Sequence, residues 1–138
     1  MKRVNDEGMA VVEFVLLVVL VIVPLAYAAA TLSKIHSATF AVVTAAREAG
    51  RAYATADTPT QAGRRAQIAA QIALADHDLP APTVVITCSE GSCLAPGSAV
   101  TVEVSTDVPI PLLPHSDGHG TIPVQAVHSV PIDRYRQS

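Results

Sequence analysis

The chain has 138 residues, a formal net charge of −3 and a hydrophobic fraction of 50%. This length accommodates one small domain and an accessory segment. The slight acidic excess, with Lys and Arg scattered along the chain, argues against nucleic acid as a partner. Trp is absent and Phe occurs twice, so a soluble core has to be built from Val, Ile, Leu and Ala. We therefore expect a thin core that needs a covalent staple.

The first predicted element is a membrane-spanning helix over residues 9–30. This run contains one charged residue, Glu13. About 22 residues at a rise of 1.5 Å span roughly 33 Å, which matches the hydrocarbon core of a bilayer. Lys2 and Arg3 precede the run, which favours a cytoplasmic N-terminus and an extracytoplasmic C-terminal part. A carboxylate inside such a span costs free energy and therefore requires a reason.

Two plainer interpretations of this segment stay open. Ala26-Tyr27-Ala28 has the pattern of a signal peptidase site, although the apolar run is longer than a usual signal peptide core and contains an acid. Alternatively, the segment is a simple anchor whose Glu13 reaches the nearby interface. That explanation requires little free energy, because Glu13 is only about 6 Å along the helix from Met9.

A third interpretation joins Glu13 to Gly8, which closes a polar leader over residues 1–8. From Gly8 the sequence reads Gly-Met-Ala-Val-Val-Glu-Phe, and this resembles the processing site of type IV pilins and pseudopilins. In that family a prepilin peptidase cuts after the glycine, which here makes Met9 the first residue of the mature chain. The resemblance implies that Glu13, the fifth mature residue, and Phe14 act in subunit pairing. The acid would meet the N-terminal amine of a neighbouring subunit, an interaction that is strong at low dielectric.

The same heptapeptide looks like the opening of the TadE-like minor pilins of tight-adherence (Flp) systems. The Ala- and Arg-rich residues 45–52 resemble the stretch that follows the membrane helix in that family, so the likeness covers residues 8–56. It implies a structural protein without enzymatic activity or cofactor, located in the cell membrane and, once assembled, in an extracellular pilus. Its implied partners are a prepilin peptidase, the major Flp pilin and other minor pilins, the inner-membrane assembly platform and membrane lipid. The alternative function is a non-polymerising, single-span, membrane-anchored extracytoplasmic binding protein.

Beyond the membrane we predict that the helix continues to about Ala54 as an extension over residues 31–56. Its seam has alternating spacings of three and four residues, with small side chains in the later part. The seam would pack either against other pilin helices or, as the favoured interpretation, against the chain's own domain. The seam residues are Leu32, Ile35, Thr39, Val42, Ala46, Ala49 and Tyr53.

A second helix is predicted to begin after Thr58, which would cap it. Pro59 suits the first helical position and Gln61 completes a capping box. We expect this helix to end at Ala75 or Asp76. Its apolar stripe is predicted to be Ala62, Ala66, Ala69, Ile72 and Ala73.

The remaining signals have period two and predict strands over residues 83–88, 99–106 and 122–130. In the second strand, Val100, Val102 and Val104 share one face, and residues 108–120, rich in Pro and Gly, form an irregular connection. The predicted fold class is therefore α+β. It combines a long N-terminal transmembrane, pilin-like helix with a second helix and a small antiparallel sheet, and residues 57–138 form the extracytoplasmic domain.

Cys88 and Cys93 flank four residues at the tip of the predicted hairpin. On export they are expected to form a disulfide worth about 2 kcal/mol, whereas a metal site would require a second cysteine pair. His115, Asp117 and His119 could ligate Zn²⁺, but the Gly-rich context favours a polar surface loop. Because no recognised catalytic signature is present, we predict no catalytic or metal-binding residues.

Overall fold

The computed structural model describes residues 6–89, 91–110 and 120–135, and the side chains from Met9 onward. Within these residues the elements are, in chain order, α1 (Asp6–Ala54), α2 (Pro59–Ala75), β1 (Thr83–Cys88), β2 (Ala99–Pro109) and β3 (Thr121–Pro131). This arrangement confirms the predicted α+β fold class. The chain divides into two compact units, an N-terminal unit that ends at Ser33 and a C-terminal unit that begins at Lys34.

The N-terminal unit is the apolar part of α1. Its large side chains are exposed on every side of the helix, with Phe14 68% and Leu20 70% exposed. The most apolar 18-residue window of α1 has none of its residues buried. By length and composition α1 can cross a membrane, which is compatible with a single-pass anchor.

The C-terminal unit contains an antiparallel sheet in the order β1-β2-β3, with β2 in the centre. Val100, Val102 and Val104 are fully buried on one face of β2, as the alternation predicts. The pattern continues further than predicted, because Thr106 and Val108 are buried on the same face. Thr106 Oγ1 donates to Pro80 O at 3.1 Å, which satisfies the buried hydroxyl. Residues 108 and 109 are therefore strand, not part of the irregular connection.

The second half of α1 packs on this sheet through very small residues. An added Cβ on Gly50 would lie 2.7 Å from Val130 Cγ2, so the helix comes very close to β3 here. The later part of the predicted seam is buried, which confirms packing against the chain's own domain there. In the earlier part Leu32 and Thr39 are exposed, so packing of this part against other pilin helices stays a prediction. The buried residues of α1 are Ala38, Ala41, Val42, Ala45, Ala46, Ala49, Gly50 and Tyr53.

The start of α2 follows its prediction. Gln61 N donates to Thr58 Oγ1 at 3.3 Å, and Pro59 is the first helical residue. The Gln61 side chain accepts from Asp57 N at 3.3 Å, one residue earlier than a standard capping box. Together these bonds satisfy two backbone N–H groups at the helix start, where no intrahelical acceptor exists.

The end of α2 has the hydrogen bonds of a Schellman motif. Leu79 N donates to Leu74 O and Asp78 N donates to Ala75 O, both at 3.1 Å. Asp78 has a φ of 54°, the left-handed conformation that this motif requires and that glycine usually supplies. The motif turns the chain towards β1.

The predicted stripe of α2 is partly wrong. Ile72 is 60% exposed, and the fully buried residues recur at every fourth position. Residues four apart lie above one another on a helix, so this row is the face that meets the core. Leu74, which the prediction omitted, is the largest fully buried side chain of the protein's described part. The buried row is Ala62, Ala66, Ala70 and Leu74.

Candidate assembly surfaces and site residues

The proposed processing site lies in the first turns of α1. Gly8 and Met9 are both helical, and the Met9 side chain is 71% exposed. Glu13 and Phe14 are also exposed, and Glu13 lies one turn after Met9 on the same side of the helix. The carboxylate therefore faces outward from the chain, where a neighbouring molecule can reach it.

Within the N-terminal unit, the described side chains of the apolar part of α1 are mostly exposed. Val11, Val15 and Val19 are each more than half exposed and form one row along the helix. The other sides of the helix are also mostly apolar and exposed, apart from the charged Glu13 and the half-buried Val18 and Tyr27. By its apolar character such a surface is suited to lipid tails or to other apolar helices.

In the C-terminal unit, the face of α1 opposite the buried alanines carries aromatic and basic side chains. The rings of His36 and Phe40 contact edge to face, with centroids 5.3 Å apart, and Phe40 is 64% exposed. Further along the helix, a cleft of about 480 Å³ opens between the end of α1 and β3. Its lining residues are Arg47, Glu48, Arg51, Ala54, Thr55, His128 and Val130.

We refer to this opening as the basic cleft. Sequence reasoning identified its arginines only as part of a pilin-like stretch and did not single out His128. A sequence signal for the pair exists, since Arg47 and Arg51 are four residues apart and therefore share one side of α1. No local sequence signal points to His128, because it reaches the cleft only through the pairing of β3 with β2.

A Ser–His contact lies at the C-terminal end of α2. Ser37 Oγ and His77 Nδ1 are 3.4 Å apart, and both side chains are exposed. In the described residues no carboxylate hydrogen-bonds to His77, so the contact lacks the third group that orients a catalytic histidine. It forms part of a small opening that Lys34 and Asp78 also line.

No group of three His, Cys, Asp or Glu side chains in the described residues is close enough to hold a metal ion. The predicted loop with His115, Asp117 and His119 lies outside those residues. The prediction about that loop therefore stays a prediction.

Cys88 and Cys93 form a disulfide, with their Cα atoms 4.9 Å apart, as predicted. The bond closes the loop between β1 and β2. Ser98 Oγ donates to Ala95 O at 2.7 Å inside this loop, and Ala99 N donates to Ser89 Oγ at 3.0 Å. The covalent bond and the serine hydrogen bonds together fix the connection at the end of the hairpin.

Tyr53 links the last turn of the packed part of α1 to the core. Its side chain is 5% exposed and belongs to the central cluster of buried residues. Burial raises the pKa of its phenol above the ordinary value of 10.0, because the phenolate loses hydration in the core.

No model of a known protein family, no curated protein and no solved structure matches this chain. The fold and the exposed helix define its class, an α+β domain that carries one helix able to span a membrane.

Proposed function

We propose that this protein is a TadE-like minor pilin or pseudopilin of a tight-adherence (Flp) pilus. A prepilin peptidase cleaves it after Gly8, and the mature chain joins or initiates the pilus. The observation that carries the proposal is the placement of Glu13, five residues after Gly8, on a helix whose apolar side chains are exposed on all sides. Lipid covers this surface before assembly and neighbouring pilin helices cover it afterwards.

Glu13 gives this assembly a defined register. An unpaired carboxylate in an apolar environment is costly, whereas pairing with the new amine of Met9 on a neighbouring subunit removes that cost. A neighbour displaced by a turn leaves both charges unpaired. The ion pair therefore selects one axial position among the many that apolar packing alone would tolerate.

The C-terminal unit supports the same proposal. Its disulfide between Cys88 and Cys93 is typical of an oxidising compartment, which agrees with an extracytoplasmic domain and a cytoplasmic N-terminus. Processing then takes place on the cytoplasmic side and the domain is displayed outside. The proposed partners are the peptidase, the major Flp pilin, other minor pilins, the inner-membrane assembly platform and membrane lipid.

Coexpression with a prepilin peptidase and measurement of the intact mass test the processing step. We expect a mature species that begins at Met9 and disappears in Gly8→Ala. A precursor of unchanged mass would contradict the proposal and favour the non-polymerising binding protein, for which the basic cleft is the natural ligand site. A chain that starts near Ala29 would identify a signal peptide instead.

The assembly step is tested with Glu13→Gln, which removes the charge and keeps the shape. We expect normal cleavage but at least a tenfold loss from sheared pili. Glu103→Gln is the matched control, since Glu103 is a partly exposed acid of β2 in the C-terminal unit. Equal recovery of the Glu13→Gln chain and the wild type would show that the acid is a bystander.

A further inference from the structure

The basic cleft has two walls that come from distant parts of the sequence. Arg47 and Arg51 of α1 form one wall, and His128 of β3 belongs to the other. An added Cβ on Gly50 would lie 3.6 Å from His128 Cδ2, so the imidazole packs directly against the helix. Gly50 lies between the two arginines along α1. The three nitrogen-bearing side chains therefore surround one opening from two sides.

None of these three side chains is engaged by another described residue. Arg47 and Arg51 are exposed, and no carboxylate in the described part of the chain pairs with either. His128 is half-buried on the face of β3 that packs on the core. Every buried side-chain nitrogen in the described residues has a hydrogen-bond partner, and His128 makes no hydrogen bond there, so its ring nitrogens reach the solvent. All three groups can therefore donate hydrogen bonds to a molecule in the cleft.

One acid, Glu48, also lines the cleft, and helix geometry places it at the outer rim. Seen along the axis of α1, Arg47 and Arg51 are about 60° and 100° from the direction of Gly50, whereas Glu48 is about 160° away. Because Gly50 faces β3, Glu48 lies almost on the opposite side of the helix. The part of the cleft nearest to the sheet is therefore positively charged.

We infer that the basic cleft binds the phosphate group of a small organic phosphate monoester. A carboxylate has two oxygens in one plane, which a single guanidinium can occupy in a bidentate manner. A phosphate monoester has three acceptor oxygens that do not lie in one plane, and these suit donors from two walls.

The remainder of the cleft has room for the rest of such a molecule. Its volume of about 480 Å³ lies within the range of about 300–1,000 Å³ that is typical of small-molecule sites. Thr55 Oγ1 donates to Arg51 O at 3.1 Å, so this hydroxyl is left to accept a hydrogen bond from a ligand hydroxyl. The site lies in the C-terminal unit and does not depend on cleavage after Gly8.

Titration calorimetry on the full chain in a nonionic detergent tests the inference. Glycerol 3-phosphate should bind in a saturable manner, whereas glycerol, which lacks the phosphate, should not bind. Succinate should bind more weakly by about tenfold or more, because its carboxylates cannot engage both walls at one group. Succinate binding as tight as that of glycerol 3-phosphate would overturn the assignment to phosphate.

Substitutions then locate the bound phosphate. The R47Q/R51Q chain should lose affinity for glycerol 3-phosphate by about tenfold or more, because both charge-assisted hydrogen bonds are removed. The matched control is R64Q/R65Q, which removes two exposed arginines of α2 outside the cleft and should retain the wild-type affinity. Glu48→Gln should raise the affinity by about twofold, because it removes a like charge at the rim.

A further comparison separates two sources of the same chemical group. Short-chain phosphatidic acid added to the micelles presents a phosphate monoester as a lipid headgroup, and phosphatidylcholine is its control. If phosphatidic acid binds more tightly than glycerol 3-phosphate, the cleft is a headgroup site. If the two bind equally, the cleft is a site for soluble phosphates. Both results support the inference as long as R47Q/R51Q weakens the binding.

Absence of saturable binding by both compounds would overturn the inference. So would unchanged affinity in R47Q/R51Q, or an equal loss in R64Q/R65Q, since either result would indicate general charge attraction. If R47Q/R51Q does not fold, nuclear magnetic resonance of the wild-type chain replaces it, and unchanged His128 ring nitrogen shifts on adding glycerol 3-phosphate would refute the site. Cleavage after Gly8 without phosphate binding contradicts this inference alone, and phosphate binding without cleavage contradicts only the proposed function.

Discussion

The two parts of α1 are both apolar, yet they use opposite kinds of side chain. Over residues 9–30 the helix carries Val, Leu, Ile and Phe, and these large side chains are exposed. Over residues 38–53 its inward face is mostly alanine with one glycine, and these small residues are fully buried. Most of the large hydrophobic side chains of the helix therefore lie outside its core, with Val42 and Tyr53 as the buried exceptions.

The difference has a physical explanation. A surface that faces lipid gains from apolar area, which large side chains supply. A helix that packs closely on a sheet needs small residues, since every additional carbon between the backbones pushes them apart. Gly50 shows the limit, because its position beside Val130 has no room for even a methyl group. The small residues of α1 therefore mark the stretch of the helix that packs against the sheet.

The largest expected effect is at Leu74 of α2, which is buried, whereas the equally apolar Ile72 is exposed. Leu74→Ala should lower the free energy of unfolding of the C-terminal unit by about 3 kcal/mol, because it leaves a cavity in the core. Ile72→Ala, at a site that is 60% exposed, should cost less than about 1 kcal/mol. Hydrogen exchange of β2 amides in the full chain in detergent measures both changes. Similar losses for the two variants would contradict the assignment of the buried row.

A valine in each part of α1 tests the comparison itself. Val42→Ala should destabilise the C-terminal unit by about 2 kcal/mol, because Val42 is fully buried. Val19→Ala, at a position that is 51% exposed in the N-terminal unit, should change that stability by less than about 0.5 kcal/mol. The same exchange measurement applies. A clear destabilisation by Val19→Ala would show that the apolar part contributes to the domain's core.

The two glycines of the packed helices should respond in opposite directions to alanine. Gly50→Ala should cost about 1–2 kcal/mol, because the new methyl group overlaps with the stiff Val130 side chain and outweighs the gain in helix propensity. Gly63→Ala, which has open space around its new Cβ, should stabilise α2 by up to about 1 kcal/mol. Hydrogen exchange of the two variants measures whether each substitution raises or lowers the free energy of unfolding. A stabilised Gly50→Ala chain would refute the close approach of α1 to β3.

The smallest effect is a pH dependence from Tyr53. Because burial raises its pKa in the folded state, the protonated phenol stabilises the fold below about pH 10, and this stability is lost as the pH rises through the raised value. Tyr53→Phe should remove this part of the alkaline loss. Tyr135→Phe is the control, since Tyr135 is 91% exposed. The free energy of unfolding should decline less steeply with alkaline pH in Tyr53→Phe than in the wild type, and Tyr135→Phe should behave like the wild type. Equal slopes for all three chains would contradict the raised pKa of Tyr53.

Local sequence signals were sufficient for the elements themselves. Thr58 and Pro59 fixed the start of α2, alternation in β2 fixed its buried face, and the short spacing of Cys88 and Cys93 predicted their disulfide. These features depend on neighbours in the chain, such as an N–H three residues away or the opposite side of a strand. The pilin-like features at Gly8 and Glu13 are likewise readable locally, and their role remains a prediction.

One error concerns α2. The sequence favoured Ile72 as part of the apolar stripe, whereas the structure leaves it 60% exposed. The basic cleft joins arginines of α1 to His128, which is far away in sequence and reaches the cleft only through the sheet.

The sequence by itself determined that this chain has a long apolar helix, a second helix with an N-cap, three strands with alternating side chains and a disulfide. Only the tertiary structure decided which face of α2 is buried and how closely α1 approaches β3. The periodicity of apolar residues predicts that one side of a helix is buried. In an alanine-rich helix, however, several faces fit that periodicity equally well. The choice among them is made by the space available against the sheet, which is a property of the packed elements together and of no single segment.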